Sequence, residues 1–204
     1  MAVRVSAIIL AAGSSRRAGA FKQLLPLGNK TIIEVTVDNY LESAVKEVVV
    51  VLGHRADEIA RILGDHKVNI VTNDQYLQGM STSLRVGLKA VDTDADGFLL
   101  ALADQPLVDV RTINTIIKAS AFYKKGITLP TYLGKRGNPV LFDIYYKAAL
   151  LVATGDKGGR DVIRAHPEDV CEVAVDCPGV TADIDTATDY QRLLSKTSRK
   201  DEPC

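Results

Sequence analysis

The chain has 204 residues, with 25 acidic and 25 basic side chains, 47% hydrophobic residues and 25% charged residues. That length suits one α/β domain with a good core and would cramp two, and balanced charge leaves no global field to draw the protein to nucleic acid or an anionic membrane. Cys171, Cys177 and Cys204 form an odd set without CxxC spacing, which argues against a disulfide framework or zinc knuckle and for buried or incidental thiols; no apolar run approaches the ~18 residues needed to span a bilayer, and no charged-then-apolar leader is seen, so a cytoplasmic location is expected.

The stretch VRVSAIIL-AAGSSRRAGAFK-QLLPL from Val3 to Leu27 is the first element. Val3 and Val5 alternate with Arg4 and Ser6, and Ala7 to Leu10 continues apolar without a break, the pattern of a strand buried on both faces of a parallel sheet. Ala11, Ala12 and Gly13 then remove bulk where the strand ends, so that a ligand can approach the backbone. Ser14 and Ser15 offer hydroxyls and amides, and Arg16, Arg17 and Lys22 place positive charge around the loop. Loops at the carboxyl ends of strands are where α/β sheets bind ligands. The stretch reads either as a polyphosphate cradle or as an ordinary strand-to-helix turn with solvated arginines. It is not a Walker A loop, because Gly13 and Gly19 are too far apart and no Lys-Ser/Thr follows. Nor is it a dinucleotide fingerprint, because Ser15 stands where GxGxxG needs its second glycine.

Further along, Thr31 to Leu41 has helical spacing, Val48 to Leu52 is a buried strand closed by Gly53, Ala56 to Leu63 is a short helix ended by Gly64, and Val68 to Val71 is a third strand. This alternation predicts a parallel sheet. In NDQYLQGMSTS, Gly79 gives a flexible approach and Ser81, Thr82 and Ser83 stand at a helix start, where they can cap the helix or contact a ribose, base or phosphate. GMSTS misses the hydrolase elbow GxSxG at its last residue. Gly97 to Leu102 is a fourth strand, and Asp104 follows it on the same sheet edge as the first loop, placed to hold Mg²⁺ with phosphate oxygens. Asp109 is the better cap for the helix from Thr112 to Tyr123.

Ile127 to Pro130 and Pro139 to Phe142 read as strands flanking YLGKRGN, either a site for a second anionic substrate or a solvated hairpin tip. Ile144 to Val152 is helical, the Gly-rich basic loop Thr154 to Asp161 caps the next helix and carries the same two readings, anionic-substrate contact or solvated loop, and Val170 to Val175 is the last strand. Thr186 is a candidate cap for a closing helix, and the tail SKTSRKDEPC is charged and frayed. The whole reads as a single domain over 1–194 with a tail over 195–204. His54, His66 and His166 have no ligand spacing, so a zinc or iron site is not expected, and no Ser–His–Asp or Cys–His set assembles.

LAAGSSRRAGAFKQLLPL, VTNDQYLQGMSTSL, LLALADQPL, GKRGNPVLF and DIDTATDY stand in register over about residues 4 to 194. Together they resemble the MobA-like nucleotidyltransferases, and most closely their molybdenum cofactor cytidylyltransferase branch. The resemblance implies a three-layer α/β/α, mostly parallel, Rossmann-like fold of the nucleotide-diphosphosugar transferase type. It implies a cytidylyltransferase that moves CMP from CTP to the phosphate of molybdopterin and releases pyrophosphate. Ala11, Ala12, Gly13 and Ser14 then match the nucleotide-receiving turn, with Gly79 and Ser83 on the base or ribose. Arg17 and Lys22 match the phosphate-binding bases, Asp104 matches the Mg²⁺ aspartate (Mn²⁺ being the alternative ion), and Asp185 a second position near the metal. A molybdenum hydroxylase is the partner so implied. Ala12, where a guanosine branch carries glycine, leans toward CTP. Gln105, where the family often has Met, and Asn138, where it has His before Pro139, depart from the pattern, and Asn138 lies in the loop that the resemblance places on the acceptor side. Open rivals are the same chemistry on a sugar phosphate or methylerythritol phosphate, GTP in place of CTP, and a non-catalytic cofactor chaperone.

Overall fold

β1 (Val5–Ala11) occupies the centre of the sheet, because every side chain but one along it is buried. It pairs in parallel with β4 (Glu47–Leu52) on one side and β6 (Gly97–Leu102) on the other. β5 (Asn69–Thr72) extends the β4 side in parallel. Beyond β6 comes β9 (Val140–Asp143), antiparallel to both β6 and β7 (Ile127–Tyr132), and β10 (Val170–Ala174) closes that edge parallel to β7. The order is β10-β7-β9-β6-β1-β4-β5. A short β8 (Lys135–Arg136) folds back on β7, and β2 (Pro26–Leu27) with β3 (Lys30–Thr31) makes a separate hairpin. This computed structural model describes residues 3–14, 21–155 and 158–197, with side chains through 195.

Helices cover both faces, completing the three-layer, mostly parallel architecture expected from the sequence. Along β1, Ala7, Ile9 and Ala11 point to one face, where they pack with Ile33 and Val37 of α1 (Ile32–Leu41), Ile59 of α2 (Ala56–Ile62), and Ile113 and Ile116 of α4 (Val110–Tyr123). Ile8 points to the other, against Leu84 and Leu88 of α3 (Met80–Ala90), with Leu150 of α5 (Lys147–Leu151) and Val162 of α6 (Arg160–Ala165) in the same cluster. This is the period-2 alternation of a strand covered on both sides. A third cluster seats Leu193 of α7 (Ala187–Thr197) against Leu27, Ile32 and Ile184, and Tyr190 Oη donates to the carbonyl of Pro26 at 2.6 Å.

Helix starts follow their capping residues. Thr31 and Glu34 form a reciprocal capping box on α1, Asp109 accepts from Thr112 N–H at 2.7 Å, and Asp189 N–H donates to Thr186 Oγ1 at 3.2 Å. α3 departs from expectation. Its cap is Gly79 at φ 107°, with no side-chain cap, and Ser81, Thr82 and Ser83 are buried inside its first turns. The segment from Ile144 is a 3₁₀ turn leading into α5 rather than one helix, and Gly159 precedes α6 without a side-chain cap. The YLGKRGN segment is a hairpin whose tip, Leu133 and Gly134, has φ of 48° and 75°, the two-residue turn that matches strand twist.

α3 lies close on the sheet because Gly87 faces it: a Cβ there would run into Ile8 Cγ2 and stand 3.0 Å from Val51 Cγ2. In an exposed helix, Gly→Ala stabilises by about 1 kcal/mol; here the added methyl overpacks a filled core. Gly87→Ala is therefore expected to destabilise the fold by about 1–3 kcal/mol, read as a lowered urea midpoint at unchanged slope.

Candidate nucleotide site

The chain runs from β1 outward to β4 and β5, then returns across β1 to β6, so the crossover direction reverses between β1 and β6. In such sheets the crevice at that reversal, beyond the carboxyl ends of the strands, is where ligands bind. The register sets Leu10 beside Leu102, so the turns after the two strands open side by side. A cavity of about 900 Å³ lies there. Ala12, Gly13 and Ser14 line it from the β1 turn, Asp104 from the β6 turn, Gly79, Met80 and Ser83 from the start of α3, Lys22 from the 3₁₀ turn, and Asp183 and Asp185 from the segment before α7.

Lys22 is the electrostatic centre. Its Nζ donates to Asp104 Oδ2 at 2.5 Å and to Asp185 Oδ1 at 2.9 Å, and its side chain is only 13% exposed. Burial alone would lower its pKa, but the charges and hydrogen bonds of Asp104 and Asp185 outweigh that and hold the ammonium above the usual lysine range. Asp183 is the third acid. Burial, and then the neighbouring charges of Asp104 and Asp185, push its carboxyl up, opposed by a hydrogen bond from Gln105 Nε2 at 2.6 Å. The same Nε2 lies 3.5 Å from the carbonyl of Val180, to which Asn138 N–H donates at 2.8 Å. The two residues that depart from the family pattern thus grip one segment.

The oxygens of Asp104 and Asp185 converge on one point, now held by the Lys22 ammonium. Hard oxygen donors with neither thiol nor imidazole in the lining suit Mg²⁺ or Mn²⁺. Among the described residues no set of three or more His, Cys, Asp or Glu is arranged to cage a metal alone. Two carboxylates suffice for Mg²⁺, which keeps waters and takes phosphate oxygens, so the residues fit the ion.

A second cavity of about 240 Å³ shares Arg160 with the first and is lined by Arg136, Asn138, Arg160 and Arg164 over an apolar floor of Leu129, Val140 and Ile163. Arg136 is anchored by Glu172, donating from Nε at 3.0 Å and Nη2 at 2.7 Å to Oε1.

Of the residues expected at the site, Ala12, Gly13, Ser14, Lys22, Gly79, Ser83, Asp104 and Asp185 line the one cavity. Ala11 does not: strand alternation turns its methyl into the core, where it is fully buried. Arg16 and Arg17 lie outside the described residues, as do Asp156 and Lys157 of the Gly-rich loop. Sequence reasoning missed Asp183, Tyr76, Met80 and Arg160 as lining residues; the alternation Asp183-Ile184-Asp185 was the available signal for the first, since it puts two acids on one side of the buried Ile184.

Fold and cavity define a nucleotidyltransferase of the nucleotide-diphosphosugar transferase fold. The comparisons agree: residues 7–170 match the MobA-like NTP transferase domain, and the chain belongs to that family. It is 30% identical over 198 residues to the nicotine blue oxidoreductase of Paenarthrobacter nicotinovorans, covering 93% of this chain and 96% of that one. It is 29% identical over 188 residues to the molybdenum cofactor cytidylyltransferase of Escherichia coli K12, covering 91% and 93%. Among solved structures, Rv0371c of Mycobacterium tuberculosis in complex with manganese superposes with a TM-score of 0.81 at 29% identity, over 96% of this chain and 100% of that one.

The elevated Asp183 carboxyl has a stability consequence. A carboxylate whose folded pKa exceeds its unfolded value weakens the fold above that folded pKa, and the penalty vanishes as pH falls below both values. Asp183→Asn keeps an acceptor for Gln105 and removes the charge. Its melting temperature is expected to exceed the wild type's at pH 7, with the gap closing as pH approaches 4, in thermal melts across pH 4–8.

Proposed function

We propose that the protein transfers CMP from CTP to the phosphate of a molybdopterin-type acceptor and releases pyrophosphate. The observation that carries the reading is the convergence of Asp104 and Asp185 on the Lys22 ammonium at the strand-order reversal. An acceptor phosphate oxygen attacks the α-phosphorus, a new phosphoanhydride bond forms, and the bond from the α-phosphorus to its bridging oxygen breaks. Two anions must meet, so the protein's work is alignment and charge neutralisation. Asp104 and Asp185 would hold a divalent cation, Mg²⁺ or Mn²⁺, which when bound neutralises phosphate charge. Lys22, with Arg17 by family resemblance, neutralises the α-phosphate and the departing pyrophosphate. The acceptor needs no general base, since a phosphate monoester is already ionised near neutral pH.

The second cavity supports the acceptor assignment. Its apolar floor suits a ring system, and Arg160, on the wall shared with the nucleotide cavity, suits the acceptor phosphate. The choice of CTP rests on Ala12. It lines the cavity, and by the resemblance its methyl narrows the base pocket where a guanosine branch carries glycine. The manganese complex of Rv0371c supports a divalent ion, and the E. coli molybdenum cofactor cytidylyltransferase supports a molybdopterin-type acceptor; a molybdenum hydroxylase as downstream partner and a cytoplasmic setting complete the proposal.

Pyrophosphate release assayed with each of the four nucleoside triphosphates, across molybdopterin, a sugar phosphate and methylerythritol phosphate, tests the assignment. CTP with molybdopterin should give the highest kcat/KM. An oxidoreductase, the reading favoured by the P. nicotinovorans relative, predicts none with any pair. Asp104→Asn and Arg17→Ala should each lower turnover at least about a hundredfold, as loss of one charge-stabilising group typically does, with circular dichroism unchanged. Arg160→Ala should raise the acceptor KM about tenfold while leaving the CTP KM within about twofold, the pattern of a lost binding contact.

A further inference from the structure

Asn73 follows β5 directly and is 3% exposed. Its Oδ1 accepts from Gln75 N–H at 3.0 Å, which settles the orientation of the amide, since a backbone N–H can face only the oxygen. Nδ2 therefore donates to Thr82 Oγ1 at 2.8 Å and to Ser83 Oγ at 2.9 Å. Thr82 passes its own hydrogen on to the carbonyl of Gly79 at 2.8 Å, with that of Gln75 at 3.1 Å. Ser83 has no such outlet. Its oxygen is engaged as an acceptor, and no group among the described residues accepts its hydrogen. A serine in a helix ordinarily returns that hydrogen to the carbonyl four residues back; here that carbonyl, Gly79's, is taken by Thr82. Ser83 is nevertheless 3% exposed and lines the nucleotide cavity. A buried donor left unused is costly, and the open side available to this one is the cavity that Ser83 lines.

We infer that Asn73 is a positioning residue that fixes the hydrogen-bond polarity of the cavity: by donating to Ser83 it makes that hydroxyl a donor toward the ligand, so the site selects a nucleobase presenting a carbonyl oxygen or an unprotonated ring nitrogen there. A neutral donor matches a neutral base edge, whereas the charged Lys22 matches phosphate. The inference rests on the nucleotide reading of the cavity and adds to it the residue that sets its selectivity. Asn73 itself does not line the cavity, so its effect passes through Ser83.

The test is a double-mutant cycle read by calorimetric binding of CTP, GTP, UTP and ATP to the full chain with Mg²⁺. In Asn73→Ser a short hydroxyl still accepts from Gln75 N–H, as serine does in such turns, but cannot reach both partner hydroxyls. Asn73→Ser and Ser83→Ala are each expected to weaken CTP binding about tenfold, the usual scale for one lost hydrogen bond to a buried group. The double variant should bind no more weakly than either single one, because both remove the same donor. Ser83→Thr, which keeps the hydroxyl, should restore binding. Wild-type affinity in Asn73→Ser, or losses that multiply in the double variant, overturns the inference while leaving the nucleotide site standing. A wild-type chain that binds none of the four triphosphates removes the nucleotide reading and this inference with it. If Asn73→Ser does not fold by circular dichroism, Asn73→Thr takes its place in the same cycle, with the same outcomes.

Discussion

Three carboxylates and one ammonium share the carboxyl edge of this sheet, and the arrangement holds only because they are held together. Asp104, Asp183 and Asp185 would repel one another apart from Lys22, and burial raises the cost of every unpaired charge. The fold meets that cost by bringing distant segments to one place. The β6 turn supplies Asp104, the 3₁₀ turn after the β1 loop supplies Lys22, and the segment before α7 supplies the other two acids. The hairpin of β2 and β3, fastened to α7 through Tyr190 and Leu193, keeps the Lys22 turn and the acidic segment in register. A lysine between two carboxylates is also an exchangeable arrangement. A divalent ion could take its place between the acids while the ammonium turns to the phosphates.

Most of the fold was legible because its strands are continuous β-branched runs and its helices begin at recognisable caps. Val48 to Leu52 could hardly be anything but a buried strand, and Asp109 and Thr186 announce the helices that follow them. The hairpin of β2 and β3 was not read, although Gly28 and Asn29 form a two-residue turn between its strands, because strands of two residues carry no periodicity. Ser81, Thr82 and Ser83 looked like caps because hydroxyls cluster at helix starts. Gly79 took that position instead, since only glycine accepts the backbone angle there with ease.

Of the site, the turn residues Ala12 to Ser14, with Lys22, Asp104 and Asp185, were legible through their place at strand ends and in ordered motifs. Ala11 was expected to offer its backbone to the nucleotide, and its side chain lies outside the cavity lining. In a strand, adjacent residues face opposite ways, and its methyl belongs to the α1 side. Asn73, Asp183 and Arg160 were hidden for a different reason. Their roles rest on contacts across the chain, such as Gln105 to Asp183, that no local pattern encodes. The departures at Gln105 and Asn138 were visible as departures; that both hold the Val180–Asp183 segment emerges only in three dimensions.

The ion pair of Lys22 with Asp185 spans 163 positions of the chain. A ribosome releasing this polypeptide from its amino end exposes the Lys22 turn early and the acids before α7 late. Until almost the whole chain has emerged, Lys22 has at most Asp104 as a partner, with its second counter-charge still in the exit tunnel. The Lys22–Asp185 pair is thus a contact that only a nearly full-length chain can make.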